Sequence, residues 1–307
     1  MNKHDIHVQK EDVLRDKYKV LSHIASGGMS EVYLIEQIDN SKKQWAVKIA
    51  NMTNKLSSKL VDEAKILSVL DHPNLPHIAD FFSSDQYFYL VQEYIDGVPL
   101  SELFTHQNNK LSIETIIQIG VQLCDALHFL HRQQPPIIYR DIKPGNIMVK
   151  SDGTIKLIDF GIARRYQEDR LKDTVQIGTV GFAAPEQFEK IQSDTRTDLF
   201  SLGALLYYLL SEGKYVYVAQ KPIKTFQKAI PSSLKECVDQ LVKLDREDRL
   251  QDIREAKILL LKAKEEWQKS KIKQYMYTSN NKSGLIKYSF LSISILLVGY
   301  IIYTIIV

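Results

Sequence analysis

The chain has 307 residues and a net charge of only +3, long enough for one large or two-lobed domain with a sizeable core. So small an excess supplies no concentrated basic face, and no nucleic-acid partner is expected. Its two cysteines, Cys124 and Cys237, match no metal or redox spacing and fall in apolar helical patterns, so they read as buried small side chains with no disulfide framework. The opening stretch MNKHDIHVQKEDVLRDKY has no apolar run, and no secretory leader is expected in it.

In chain order, residues 1–17 form an N-terminal extension and 18–95 read mostly as strands around one helix. YKVLSHIA, EVYLIEQI, QWAVKIA and YFYLVQEYI are β-rich runs bounded by turn residues. Between the third and fourth, SSKLVDEAKILSVL carries Leu60, Ala64 and Leu67 on one helical face, and the prolines of DHPNLP stop it. Residues 96–270 are predicted mainly helical, over 111–133, 198–212, 231–244 and 252–270, with short strands at NIMV and TIKLID. Strands followed by helices predict an α+β protein of two lobes, joined near Tyr94–Pro99. A Ser-, Asn- and Lys-containing linker is expected at 271–284 and a transmembrane helix at 285–307. Tyr288 to Val307 has no charged residue and as a helix would extend about 30 Å, the thickness of a bilayer core. The flank before it has more lysines than acids, which places the main domain on the cytoplasmic side of a cell membrane. No receptor domain is expected beyond the span.

The stretch IIYRDIKPGNIMV, Ile137 to Val149, sets Asp141, Lys143 and Asn146 in a short loop between apolar runs. Buried unpaired charge is costly, and a turn at Pro144-Gly145 does not explain why these three groups converge. Phosphoryl transfer from a nucleotide to a hydroxyl would explain it, because that chemistry is mostly positioning and charge stabilisation. Asp141 can accept a hydrogen bond from the attacking hydroxyl, and Lys143 can neutralise charge on the phosphoryl group in flight. Mg²⁺ takes hard oxygen donors, only one or two of them from carboxylates. Asp159 in LIDFG and the amide oxygen of Asn146 fit as metal ligands.

Taken together the motifs resemble the eukaryotic-type (Hanks-type) Ser/Thr protein kinases, of the kind also found in bacteria. The resemblance spans about residues 18–265. YRDIKPGN matches the catalytic loop, DFG at 159–161 the metal-binding segment, AVKI at 46–49 the strand with the phosphate-binding lysine, and APE at 184–186 the close of the activation segment. TDLFSLG at 197–203 is similar to the helix whose Asp, here Asp198, braces the catalytic loop. Arg249 in DREDRL is similar to the arginine that pairs with the APE glutamate, here Glu186. Any one string is weak; six in family order are not coincidence.

The resemblance implies a two-lobed kinase fold, ATP and Mg²⁺ as cofactors, and protein hydroxyls as substrates. It implies that Lys48 holds the α- and β-phosphates and pairs with Glu63, preferred over adjacent Asp62. Glu93 and Ile95 would hydrogen-bond adenine through their backbone, with Gln92 just before them. Lys143, two after the base, is the pattern of Ser/Thr-directed enzymes. The sequence departs from the family in two places. ASGGMS at 25–30 puts Ala25 and Ser30 where the glycine loop has its first and third glycines, keeping Gly27 with Gly28 beside it, so somewhat weaker nucleotide binding is expected. Tyr139 stands where histidine is usual, packed under Phe160. Arg140 before the base implies control by phosphorylation of the activation segment. Among Tyr166, Thr174 and Thr179, Thr174 is the expected autophosphorylation site, Thr179 being similar to the threonine that contacts base and lysine.

Two other classes stay open. A membrane-anchored pseudokinase, a nucleotide-sensing scaffold, would fit the altered glycine loop and Tyr139, although Lys48, Asp141, Lys143, Asn146 and Asp159 are all present. A small-molecule phosphotransferase would not be expected to carry APE after a long activation segment. His128 and His131 are read as a packed or solvated pair with no acidic partner, rather than a zinc site. The tail lysines read as a solvated face and orientation signal with some attraction to anionic lipid. A homodimer is left open.

Overall fold

The computed structural model describes residues 8–26, 30–39, 41–52, 58–84, 86–160, 163–165, 181–189 and 191–282. Expectations placed on Gly27, Gly28, Tyr166, Thr174, Thr179 and 285–307 lie outside these residues. In chain order the elements are β1 (Val13–Leu14), β2 (Tyr18–Ser26), β3 (Glu31–Gln37), β4 (Gln44–Asn51), α1 (Ser58–Leu67), β5 (Ile78–Ser84), β6 (Tyr87–Glu93), β7 (Gly97–Pro99), α2 (Leu100–His106), α3 (Ile113–His131), β8 (Ile137–Ile138), β9 (Ile147–Lys150), β10 (Ile155–Leu157), β11 (Arg164–Arg165), α4 (Pro185–Phe188), α5 (Thr195–Leu210), α6 (Val216–Ala219), α7 (Ser232–Leu241) and α8 (Ile253–Lys282).

The N-lobe is one antiparallel sheet in the order β1-β2-β3-β4-β6-β5. Alternation along the strands divides its two faces. Ile35, Val47, Ile49 and Val91 pack together on one side. Ala50, Phe88 and Leu90 lie on the other and receive α1 through Leu60 and Ala64. Lys48 falls between Val47 and Ile49, so its side chain emerges on the face that carries α1. Strand β5 was not anticipated from the sequence, because a bulge between Ile78 and Asp80 breaks the period-two pattern.

The chain crosses between lobes at residues 94–96: β6 ends at Glu93, and β7 already pairs with β9 in the three-stranded C-lobe sheet β10-β9-β7. Helix α5 is buried along nearly its whole length, as a helix apolar on all sides should be. Gly203 lets it approach α7, since a Cβ there would stand 2.5 Å from the Leu241 Cβ. Among the described residues one helix, α3, is long and apolar enough to cross a membrane, yet its Ile117, Leu123 and Leu127 are C-lobe core. Residues 271–282, expected as part of a linker, continue α8.

Candidate active site

The sheet register places Lys48 opposite Val32 on β3 and Leu90 on β6. Its Nζ donates to Glu63 Oε2 at 2.7 Å and lies 3.4 Å from Asp159 Oδ1. Glu63 is 1% exposed, and its second oxygen accepts the Phe160 backbone N–H at 3.1 Å. Asp62, the neighbouring acid, points to solvent, so the helix face selects Glu63. Burial alone would lower the Lys48 pKa, but the charges of Glu63 and Asp159 more than offset it and the value is raised. Burial pushes Glu63 up, opposed by Lys48 and the Phe160 N–H.

Three side chains of the catalytic-type loop do converge. Asp141 Oδ2 accepts from Lys143 Nζ at 2.7 Å and from Asn146 Nδ2 at 2.8 Å. A 3-10 turn over Pro144–Asn146 brings Asn146 back, and its Nδ2 also reaches the Asp141 carbonyl at 3.0 Å. The β9–β10 ladder sets Ile147 against Leu157, and the Ile158 N–H donates to the Asn146 carbonyl at 2.9 Å. That ladder carries Asp159 to the same end of the cleft as Asn146. Asp159 and Arg140 both have left-handed backbone, with φ of 65° and 73°. Non-glycine residues hold that conformation at a cost, and it concentrates at functional sites.

Tyr139 fills the scaffold position expected of it. Its ring meets Phe160 edge-on with centroids 5.0 Å apart, and its hydroxyl donates to the Ile158 carbonyl. Burial, with Asp159, Asp141 and Glu63 nearby, holds its pKa well above the ordinary phenol value, so it remains a neutral donor. Asp198 braces the loop from α5: its carboxylate accepts the Tyr139 N–H at 2.9 Å and the Arg140 N–H at 2.7 Å. A third bond comes from His131 at 2.8 Å. His131 therefore has the acidic partner that the sequence reading denied it. The same carboxylate thus accepts three hydrogen bonds, and among the described residues no group of three His, Cys, Asp or Glu side chains could hold a metal.

At the lobe junction Ile95 is buried, and the Glu93 side chain accepts from Lys156 Nζ at 2.7 Å and from the His77 N–H at 3.2 Å. Lys156 also donates to the Leu75 carbonyl at 3.0 Å. Sequence reasoning missed this lysine, whose only signal was a charge inside the apolar run TIKLID. It missed Asn74 as well, which ties to Gln122 and the Ile155 carbonyl. Gln92 lies on the Lys48 face, opposite Ala46, and its Oε1 is buried without a partner among the described residues. Ala25 sits in β2 opposite Val32, just after a bulge at His23–Ala25.

Farther from the cleft, Glu186 and Arg249 form a two-pronged pair, both bonds 2.8 Å. Gly181, at φ 106°, leaves the space occupied by the Tyr215 ring, which a Cβ would meet at 2.4 Å.

The arrangement offers a lysine–glutamate pair, two oxygen donors suited to a hard cation and an aspartate beside a lysine, all on one cleft. A protein kinase domain model matches residues 18–272. The chain is 31% identical over 234 residues to the probable serine/threonine-protein kinase PknB of Lactococcus lactis, covering 73% of this chain and 37% of that protein. It is 34% identical over 200 residues to the serine/threonine-protein kinase PrkC of Bacillus subtilis, covering 64% and 30%. To the serine/threonine-protein kinase PknB of Mycobacterium leprae it is 33% identical over 220 residues, covering 68% and 35%. The chain thus spans about a third of the length of these curated relatives. It belongs to the protein kinase domain family, on the side of the Hanks-type Ser/Thr kinases found in bacteria.

Proposed function

We propose that the chain is an ATP-dependent Ser/Thr protein kinase that moves the γ-phosphoryl group to protein hydroxyls. The observation that carries this is the convergence of Lys48, Glu63 and Asp159 with the Asp141–Lys143–Asn146 cluster through the β9–β10 ladder. In this reading Glu63 holds Lys48 extended toward the α- and β-phosphates. The backbone of Glu93 and Ile95 receives adenine, under a loop that includes Ala25, Gly27 and Gly28. Asp141 orients the substrate hydroxyl and takes its proton, while Lys143 lies against the transferred group. Asp159 and the Asn146 amide oxygen are hard donors, too few to cage an ion alone and suited to Mg²⁺ shared with phosphates. Bound there, Mg²⁺ would neutralise charge developing on the phosphate oxygens.

The lobes are assigned to 18–95 and 96–270, with 1–17 as an extension and 285–307 as a membrane anchor that keeps the kinase domain on the cytoplasmic face. Support for the anchor is the uncharged run Tyr288–Val307 behind a lysine-rich flank. Tethering raises the local concentration of neighbouring chains, which favours autophosphorylation between them, with Thr174 as the acceptor. Against the non-catalytic alternative stand Lys48, Asp141, Lys143, Asn146 and Asp159, all present. The test is phosphate transfer from labelled ATP with Mg²⁺ by the purified full chain to itself and to a generic basic protein. Transfer that Asp141→Asn and Lys48→Met abolish is the expected result; nucleotide binding without transfer sinks the catalytic reading.

A further inference from the structure

Helix α8 runs for 30 residues, about 45 Å. One side packs into the C-lobe through Ala256, Leu260 and Ala263 against α3 and α7. The opposite side carries exposed apolar residues. Ile258, Leu261, Ile272 and Tyr275 are 65%, 42%, 59% and 63% exposed. Together with Glu265 and Gln268 they recur at alternating steps of three and four, which places them on one stripe along the helix.

That spacing would suit pairing with a second copy of α8, but the borders of the stripe forbid it. The residues that flank it on one side are Lys257, Lys264 and Lys271, and on the other Lys262 and Lys269. Side by side, parallel or antiparallel, two such helices would set lysine against lysine along the contact. Lys257 and Lys271 turn back to Asp125 and Glu114 on α3. Lys262 and Lys264 have no carboxylate within ion-pair distance among the described residues, and Glu265 on the stripe is met by Lys269 at 3.9 Å. An apolar stripe edged by lysines fits an anionic surface with an apolar interior.

We propose that this face of α8 lies on the anionic headgroup region of a lipid bilayer. The inference rests on the reading of 285–307 as an anchor, of which Tyr288–Val307 is the uncharged stretch. Five residues separate Lys282 from Tyr288, a reach of at most about 20 Å, so an anchored chain holds the end of α8 beside the headgroups. Docking of the stripe would then orient the C-lobe relative to the membrane instead of leaving it free on a tether.

The test uses the full chain with Gln268→Cys carrying an environment-sensitive fluorophore, Cys124 and Cys237 being buried. In bilayers with about 30% anionic lipid the label should be quenched more than twofold by lipid-borne quenchers, and severalfold less in zwitterionic bilayers. Lys262→Glu, Lys264→Glu and Lys269→Glu together should weaken docking by about fivefold per lysine, with unchanged circular dichroism. A bilayer-bound chain whose label stays solvent-like in anionic bilayers overturns the proposal. So does efficient disulfide formation between unlabelled Gln268→Cys chains that the lysine changes leave unaltered, which would assign the stripe to a second copy. A chain that floats only with anionic vesicles, and loses this with the lysine changes, keeps the docking face and removes the anchor. One that floats with neither vesicle type removes both.

Discussion

Two ion pairs, one in the cleft and one deep in the C-lobe, have similar bond lengths and nearly buried glutamates but differ in the surroundings of the cation. Arg249 is 0% and Glu186 5% exposed at the side chain. Arg249 also donates to the carbonyls of Lys243, Leu244 and Arg196 and stacks over Phe200, while Thr197 caps Glu186 Oε1 at 2.9 Å. The partners fill each other's bonding capacity. Lys48 and Glu63 form an open pair: the lysine is 17% exposed and leans toward Asp159, which is 48% exposed. A closed pair fixes structure, whereas an open one keeps charge available to something that enters. Breaking a closed buried pair from one side is strongly destabilising, so activity and stability must be read separately.

The largest effect is expected at the open side. Asp141→Asn should lower phosphate transfer by roughly 10²–10⁴-fold and leave thermal unfolding nearly unchanged, measured on the same preparation. The closed pair should respond the other way. Arg249→Ala should cost about 3–5 kcal/mol of unfolding free energy by denaturant titration, through the stranded Glu186 carboxylate. Lys48→Met sharpens the contrast: transfer should fall about 10²–10³-fold, while the stability loss stays well below that of Arg249→Ala. The reason is that Glu63, already pushed up by burial, can take a proton once its cation is gone. An unfolding loss as large as that of Arg249→Ala would erase the distinction between the pairs.

The smallest effect concerns Asp194, the N-cap of α5, which accepts from the Arg196 N–H at 2.8 Å. Burial raises its pKa, but hydrogen bonds and charge from Arg196, with the charge of Arg246, more than offset this and leave it below the ordinary aspartate value. A depressed carboxylate contributes stability above its unfolded pKa of about 3.9 and loses it as pH falls through the lower folded value. Asp194→Asn should therefore cost about 1 kcal/mol at neutral pH and flatten the acid limb of the stability curve below about pH 4. An unchanged limb would show that the acid response arises elsewhere.

Much of the site was legible because its chemistry sits in short contiguous strings. Asp141, Lys143 and Asn146 lie within six residues, and the turn between them leaves little choice of geometry. Long-range partners were legible only where a motif named them, as with Glu186 and Arg249. His131, Asn74 and Lys156 were not, because each acts on a residue far away in the chain: His131 on Asp198, Asn74 on Ile155, Lys156 on Glu93. Local pattern ranks such residues as ordinary helix, turn and strand positions. The choice of Glu63 over Asp62 needed the packing of α1, since adjacent positions differ by about 100° around a helix.

Asn74 and its neighbours assign one short segment to an unexpected owner. By sequence, residues 74 and 75 fall in the N-lobe. Asn74 nevertheless gives its amide to the Ile155 carbonyl and takes the Leu157 N–H at 2.8 Å, and the Leu75 carbonyl takes Lys156. Mechanically this corner travels with the C-lobe. If the cleft widens, these bonds would keep residues 74 and 75 with the C-lobe while the rest of the sheet moves relative to them.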